Sequence, residues 1–174
     1  MDGMKLMRPT AAFLEEARAY RAEFLAAGDS MDGTGSLRQT EDPAEWLDRC
    51  IKYEDRAQTP AHLVPATQFI YVRESDDKVV GMLQVRHYLN ANLIKIGGHI
   101  GYSVRPSERC KGYASAMLAE ALTRCLEMDI KNVMISCNDN NEASRRTILK
   151  NGGVYTLTVE DGEEKIEHYW IHLA

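Results

Sequence analysis

The sequence predicts a mixed α/β fold of the α+β kind, with a largely antiparallel sheet and helices on both faces of the sheet. Residues 67–73 and 79–88 are rich in β-branched and aromatic side chains, and the short polar turn between them indicates an antiparallel hairpin. Further along the chain, strand and helix patterns alternate and end in a second pair of strands. With 174 residues, 44% of them hydrophobic, the chain can bury the core of one domain, which we expect to span residues 1–174.

Two helices are predicted before the hairpin. Apolar residues such as Tyr20 and Phe24 recur at helical spacing over residues 10–27, and Gly28 follows where a helix often ends. An Asp-Pro pair then opens a second helix over residues 42–56, because proline is favoured at the first helical position. The amino-terminal part of the chain is therefore predicted to be helical.

The segment between these two helices, residues 29–39, is rich in glycine and serine. Its composition, which includes Gly33 and Gly35, is too polar and flexible for a regular element. Two interpretations stay open at this point. The segment either covers a bound substrate or simply connects the two helices.

The remaining elements follow the hairpin in order. A strand is predicted over residues 93–105, and the pair Gly97 and Gly98 indicates a bulge or bend within it. An amphipathic helix follows, and a short buried strand, another helix and two closing strands come after it. Their predicted bounds are residues 112–128, 132–137, 142–151, 154–159 and 165–173.

Composition and charge exclude several classes of function. The net charge of −5 argues against a general nucleic-acid binder; it fits a cationic partner such as an amine and, more simply, solubility. The four cysteines show no C-x-x-C spacing and no histidine at ligand spacing, so we expect reduced thiols and no metal site. No stretch approaches the ~18 apolar residues of a membrane span, nor does a signal peptide stand at the start. We therefore expect a cytoplasmic protein without a membrane partner.

An anion site is predicted where the strand ending near Arg105 leads through a proline-started loop into the next helix. The first backbone N–H groups of a helix have no intrahelical partner and stand at the positive end of its dipole, so they can bind a diphosphate. Gly112 and Ala114 let phosphates approach the backbone, and Arg109 and Lys111 add positive charge. The alternative is a plain helix start with solvated basic residues.

The motif R-x-x-G-x-A, formed here by Arg109, Gly112 and Ala114, closely resembles the acetyl-CoA motif of the GNAT superfamily of N-acetyltransferases. It follows a strand, opens a long helix, and precedes Asn-x-x-Ser and Gly-Gly in the order typical of that family. The resemblance covers mainly residues 93–153 and extends to a bacterial subgroup of the family. It implies the GNAT fold, in which a central pair of strands splays apart, and acetyl-CoA as cosubstrate.

The resemblance also implies roles for individual residues. Backbone groups of Tyr102 and Val104 would contact the pantetheine arm, and Asn141 and Ser144 would reach it from the start of the next helix. The asparagine could also cap that helix, and both roles can hold together. The main-chain N–H groups that would hold the pyrophosphate belong to Arg109, Cys110, Lys111, Gly112, Tyr113 and Ala114.

The sequence departs from the family pattern at the general acid. Four residues after Ser144, where the family often has a tyrosine, this chain has Ile148. Spare tyrosines that could act as the acid are Tyr113, Tyr155 and Tyr169, although packing is the favoured role for each. As general base the sequence offers His99, whose ordinary pKa of about 6.5 suits the task; a core or capping histidine is the alternative.

The predicted function is transfer of an acetyl group from acetyl-CoA to a primary amine by direct attack in a ternary complex. The acceptor would be a small-molecule or peptide amine. A non-catalytic acyl-CoA sensor or regulatory module is the main alternative, and the isoleucine at position 148 makes it more plausible. A partner-binding protein with a degenerate pocket is a third. Family precedent leaves a homodimer open.

Overall fold

The computed structural model describes residues 3–174, in which two antiparallel sheets lie side by side. The first sheet has the strand order β1-β2-β3-β4 and contains β1 (Met4–Met7), β2 (Ala66–Arg73), β3 (Lys78–Arg86) and β4 (Ile100–Val104). The second has the order β5-β7-β6 and contains β5 (Asn132–Asn138), β6 (Val154–Asp161) and β7 (Glu164–His172). The helices are α1 (Leu14–Ala27), α2 (Pro43–Lys52), α3 (Ala91–Lys95), α4 (Tyr113–Glu127) and α5 (Glu142–Lys150).

Helices cover both faces of the first sheet, as predicted, because successive side chains of a strand point to opposite faces. Along β2, Phe69 and Tyr71 belong to the core formed with α4, α5 and the second sheet. Their neighbours Ile70 and Val72 belong to a separate core formed with α1 and α2. No helix within residues 3–174 is both long and apolar enough to cross a membrane.

The two sheets meet at a narrow seam between β4 and β5 and then diverge. An isolated bridge joins Gly98 to Ile135, and the backbone N–H of His99 donates to the carbonyl of Met134 at 2.8 Å. Beyond the seam, the described ladders pair β4 with β3 and β5 with β7. The predicted splayed pair of central strands is therefore confirmed, and it leaves one edge of β4 free.

The strand predicted over residues 93–105 is wrong in its first part, where the structure has helix α3. The Asn90 side chain caps this helix by accepting a hydrogen bond from the Leu93 N–H at 2.9 Å, which a pattern search for strands does not register. Gly97 and Gly98 follow with φ of 107° and 62°, a backbone region that favours glycine, and turn the chain into β4.

Two further differences concern the amino-terminal part. The edge strand β1 was not predicted, since four residues are too short to show alternation. The second helix ends at Lys52, before the predicted boundary at residue 56. Asp55 then caps a separate 3-10 turn, Arg56–Gln58, by accepting a hydrogen bond from the Ala57 N–H.

Helix α1 is fixed to the end of β4 by buried polar contacts. The Arg105 guanidinium, 8% exposed, pairs with Glu16 and Glu23 at 2.7 Å each. The buried hydroxyl of Tyr20 lies 3.0 Å from the carbonyl oxygen of Ser103 and 2.9 Å from its hydroxyl. Because burial leaves these groups without water, their mutual contacts hold α1, and the loop after it, over β4.

Candidate functional site

A cleft of 860 Å³ opens where β4 and β5 diverge. Its walls are the two strands, the starts of α4 and α5, the loop after α1 and the tip of the β6–β7 hairpin. Nine of the ten residues predicted to contact the cosubstrate line it: Tyr102, Val104, Arg109, Cys110, Gly112, Tyr113, Ala114, Asn141 and Ser144. The tenth, Lys111, does not.

The loop before α4 has the backbone geometry of an anion site. Cys110 has φ of 62° and Gly112 has φ of 83°, so the chain turns sharply into the helix. Gly112 occupies the N-cap position, and no side chain caps α4 there. The first residues of the helix, Gly112 to Ser115, therefore line the cleft at the positive end of its dipole, and anion binding there stays a prediction.

An ion cluster beneath this loop holds it in place. The Glu108 carboxylate is 4% exposed and lies 2.8 Å from Arg73, 2.9 Å from Lys78 and 2.8 Å from Lys111. The hydrogen bond from Arg73 and those from the two lysines hold the pKa of Glu108 well below its usual range. The Lys111 side chain therefore pairs with Glu108 and does not lie free beside a phosphate. This corrects the sequence-based expectation for its charge.

Arg109 lines the cleft, but its charge is also engaged. Its guanidinium donates to Asp29 at 2.7 Å and to the Val104 carbonyl at 3.2 Å, and it stacks 5.6 Å from the centre of the Phe24 ring. These contacts join the loop before α4 to the end of α1. The side-chain charges of Arg109 and Lys111 are therefore both engaged within the protein.

The Tyr102 side chain crosses the cleft from β4 to α5. Its hydroxyl lies 2.8 Å from the Ser144 hydroxyl, and burial raises its pKa to about 12. Asn141, which also lines the cleft, caps α5 by accepting a hydrogen bond from the Ser144 N–H at 3.1 Å. Capping and cleft lining thus coexist at Asn141, as the sequence analysis allowed.

The other tyrosines named as acid candidates are engaged elsewhere. Tyr155 contacts Thr158, and the Tyr169 hydroxyl donates to Glu167 at 3.0 Å. Tyr113 does line the cleft, but its hydroxyl accepts a hydrogen bond from Arg73 at 3.2 Å.

Position 148 supplies no hydroxyl, and it has no room for a larger side chain. Ile148 is 0% exposed in the main core, and a Cβ added at Gly153 would stand 2.4 Å from its side chain. A tyrosine at this position would have to displace that core. The phenol hydroxyl of Tyr102 on β4 contacts the start of α5 instead, a placement that sequence spacing does not reveal.

His99 lies in the seam between the sheets and is 7% exposed. Its Nδ1 accepts a hydrogen bond from the Met134 N–H at 3.0 Å, which places the proton of the neutral ring on Nε2, and the ring meets Trp170 edge to face. Burial, with a smaller effect from the charge of Arg86, lowers its pKa. His99 is absent from the cleft lining among the described residues. These contacts favour a structural role, and catalysis by His99 stays a prediction.

The glycine-rich loop after α1 lies directly over β4. Gly33 has φ of 72°, and a Cβ there would stand 2.3 Å from the Gly101 carbonyl oxygen, so the approach requires glycine. The buried Gln68 side chain donates to the Gly33 carbonyl at 2.7 Å and fixes the loop. The loop thus forms a wall of the cleft in addition to connecting α1 and α2. That it covers a bound substrate stays a prediction.

The charged residues of the cleft that sequence reasoning missed include Asp32 on this loop and Arg86 at the end of β3. Burial is the main cause that raises the pKa of Tyr102 and lowers that of Arg86, and the charge of Asp32 acts on both groups. All three side chains line the cleft, and Asp32 lies within electrostatic reach of the other two. Their positions in the sequence, far apart and in no motif, gave no signal of this.

Comparisons with known proteins agree with this geometry. The model of the acetyltransferase (GNAT) family matches residues 31–152. Ribosomal-protein-S5-alanine acetyltransferase from Vibrio fischeri is 14% identical, with a TM-score of 0.74 over 99% of this chain and 94% of that one. RimJ from Mycobacterium smegmatis in complex with CoA-disulfide is 19% identical, with a TM-score of 0.67 over 97% of this chain and 81% of that one.

A third solved structure is the microcin C7 self-immunity acetyltransferase MccE in complex with acetyl-CoA and AMP. It is 14% identical, with a TM-score of 0.74 over 99% of this chain and 94% of that one. No curated protein matches this chain significantly in sequence. Identities this low show a shared fold.

Proposed function

This chain belongs to the acetyltransferase (GNAT) family, and we propose that it transfers the acetyl group of acetyl-CoA to a primary amine by direct attack in a ternary complex. The observation that carries the proposal is the helix start at Gly112, which has no side-chain cap and opens into the cleft. Such a helix start binds a diphosphate through several N–H groups at once. Acetyl-CoA is the cosubstrate, as in the family.

The cleft offers backbone groups along the length of a pantetheine arm. We assign the pyrophosphate to the main-chain N–H groups from Arg109 to Ala114, and the arm to the free edge of β4 at Tyr102 and Val104. Since β3 occupies the other edge of β4 and β5 diverges, amide groups of the arm can pair there as a further strand would. Asn141 and Ser144 line the opposite wall.

Tyr102 is our candidate for the group that assists departure of the thiolate. With a pKa of about 12, its hydroxyl keeps its proton at neutral pH and can donate it, or a hydrogen bond, to the sulfur. The Ser144 hydroxyl holds it at the cleft wall at 2.8 Å. In this proposal Tyr102 supplies the function that Ile148 cannot.

The attacking amine must lose a proton, and we propose that the Asp32 carboxylate accepts it. Asp32 lines the cleft on the loop that crosses β4, and its charge acts on Tyr102. A carboxylate here can take the proton directly or through a water molecule. His99 is the alternative, although its Nδ1 is already occupied by the Met134 N–H.

The acceptor class is a small-molecule or peptide amine. The similar structures include an acetyltransferase named for alanine of ribosomal protein S5 and one named for self-immunity to microcin C7. For this chain, the end of the cleft near Asp32 would determine whether a small-molecule amine or a peptide amine binds.

The proposal is tested by measuring acetyl-CoA binding by calorimetry and CoA release in the presence of amines. The amines should include amino acids, polyamines, aminoglycosides and amino-terminal peptides. Binding together with CoA release above the hydrolysis background supports the transferase. Binding without release for any amine favours the non-catalytic module, and no binding of acetyl-CoA contradicts both.

A further inference from the structure

Arg86 lies at the end of β3 with its guanidinium in the wall of the cleft. Its Nη1 donates to the carbonyl oxygens of Gly97 and Gly98, at 3.2 Å each. These two bonds fix the side chain against the turn before β4. They leave other N–H donors of the fork without a described protein partner.

The charge of Arg86 has no directly paired anion within residues 3–174, and Asp32, whose charge acts on it, lies beyond ion-pair distance. None of the described ion pairs, which extend to 4.0 Å, includes Arg86, although burial lowers its pKa. A desolvated guanidinium without an adjacent anion is unfavourable, and an arriving anion relieves the cost. A Cβ at Gly101 would stand 3.1 Å from its Nη2, so glycine at 101 keeps this part of the fork uncrowded.

Arg86 stands at the opposite end of β4 from the predicted pyrophosphate site. Its partners Gly97 and Gly98 precede β4, whereas Gly112 follows it. Four intervals of β4 span about 13 Å at 3.3 Å per residue, too far for one diphosphate to reach both. The guanidinium therefore belongs to the acceptor end of the cleft, where Ile96 and Ile100 also line the wall.

We propose that Arg86 is a carboxylate subsite for the acceptor, so that the acceptor is a small amine that carries a carboxylate. The inference rests on the proposed transferase function and names its substrate class. The acceptor's carboxylate takes the free donors of the Arg86 fork, and its amine faces Asp32. Fixing the acceptor at both ends orients the amine for attack.

A carboxylate fits this end of the cleft better than a phosphate does. The planar guanidinium fork matches a carboxylate in geometry and charge. A phosphate dianion would meet stronger repulsion than a carboxylate from Asp32, whose charge also acts on Arg86. A single arginine balances one negative charge.

The test compares amino acids with their own carboxamides as acceptors. Glycine, β-alanine and 4-aminobutyrate, each paired with its amide, vary the distance between amine and carboxylate. The readout is kcat/KM for CoA release at saturating acetyl-CoA. We expect at least one acid to exceed its amide by about 10- to 100-fold, the range for a hydrogen-bonded charge pair.

Two variants of Arg86 distinguish the effect of its charge on acceptor preference from the effect of its hydrogen bonds to the backbone. Arg86→Gln removes the charge but keeps an amide donor for the turn carbonyls, and it should abolish the preference for acids. Arg86→Lys keeps the charge without the fork and should retain part of the preference. Arg21→Gln is the matched control, because Arg21 also donates to backbone carbonyls, those of Leu37 and Arg38, but outside the cleft lining.

The results distinguish this inference from the proposed function. It is overturned if acids and amides react equally, if the preference survives Arg86→Gln, or if no amino acid reacts although acetyl-CoA binds and another amine releases CoA. Failure of the wild type to bind acetyl-CoA overturns the proposed function itself. Unchanged acetyl-CoA affinity in Arg86→Gln shows that a lost preference arises at the acceptor end.

Discussion

The hydroxyl of Tyr102 and the hydroxyl of Ser144 lie 2.8 Å apart, so β4 and the start of α5 meet across the cleft. These residues are separated by 42 positions in the chain. The contact brings a partly buried phenol to Ser144 at the start of α5, four residues before Ile148, the position where the family often has a tyrosine. It makes Tyr102 the first residue to examine for a role in catalysis.

Tyr102→Phe should lower kcat by about 100-fold, the lower end of the effect of a positioned acid, because a thiolate is a good leaving group. The affinity for acetyl-CoA, measured by calorimetry, should stay within about twofold. Since the pKa of Tyr102 is about 12, kcat of the wild type should show no loss from this group below about pH 10. Tyr113→Phe, which removes another hydroxyl from the cleft, is the control; equal kcat values for the two variants would count against Tyr102.

Gly112→Asp should abolish acetyl-CoA binding measured by calorimetry. The substitution places a carboxylate at the anion site, and an L-residue is strained at φ of 83°. Gly152→Asp is a matched control, because Gly152 has φ of 89° and, like Gly112, has nothing within 4 Å of an added Cβ. Retained binding in Gly112→Asp, or equal loss in both variants, would contradict the proposed pyrophosphate site.

Asp32→Asn should lower kcat/KM by about 100-fold at neutral pH with little change in acetyl-CoA affinity. Without the carboxylate, reaction depends on amine already neutral in solution. The rate of the variant should therefore rise about tenfold per pH unit up to the pKa of the acceptor, more steeply than in the wild type. Initial rates between pH 6 and 9 test this, with Asp48→Asn on the exposed side of α2 as control. Parallel pH profiles would remove Asp32 from the mechanism.

His99→Ala should reduce the free energy of unfolding by about 1–3 kcal/mol, because the buried Met134 N–H loses its acceptor. Burial lowers the pKa of His99 below about 6.5, so its contribution is fully present above that pH and falls as pH decreases. Urea unfolding at pH 7.5 and 5.5 should show a smaller difference from wild type at 5.5. His172→Ala, at an exposed position, serves as the control. A stable variant with a 100-fold lower kcat would instead indicate the base.

Glu108→Gln should reduce the free energy of unfolding by about 2 kcal/mol at pH 7, since three cations lose their shared carboxylate. The pKa of Glu108 is lowered, so its contribution is present above the unfolded value of about 4.3 and is lost as pH falls below it. Urea unfolding at pH 7 and 3.5 should show the difference shrink. Glu127→Gln, which breaks only the exposed pair with Arg124, should change stability little. A constant Glu108 effect at both pH values would refute this account.

The chain's local patterns predicted most elements, and the misses have physical causes. The hairpin formed by β2 and β3 and the helix α4 are long and strongly patterned, and the structure places them close to their predicted bounds. Residues 91–95 were misread because a short apolar run fits both strand and helix, and the cap from Asn90 decided between them. The edge strand β1 depends on pairing with β2, and a segment of four residues is too short for its sequence to predict that contact.

The sequence by itself predicted the loop that we propose for the pyrophosphate, because an anion site of this kind is made from consecutive backbone N–H groups at one helix start. Every group it needs lies within the segment from Arg109 to Ala114, so local pattern is sufficient. The tertiary structure alone decided which groups meet at the other end. The contacts of Tyr102 with Ser144, of His99 with Met134, and of Gly33 with Gly101 join residues distant in the chain. Such contacts exist only once the two sheets have met at their seam and diverged.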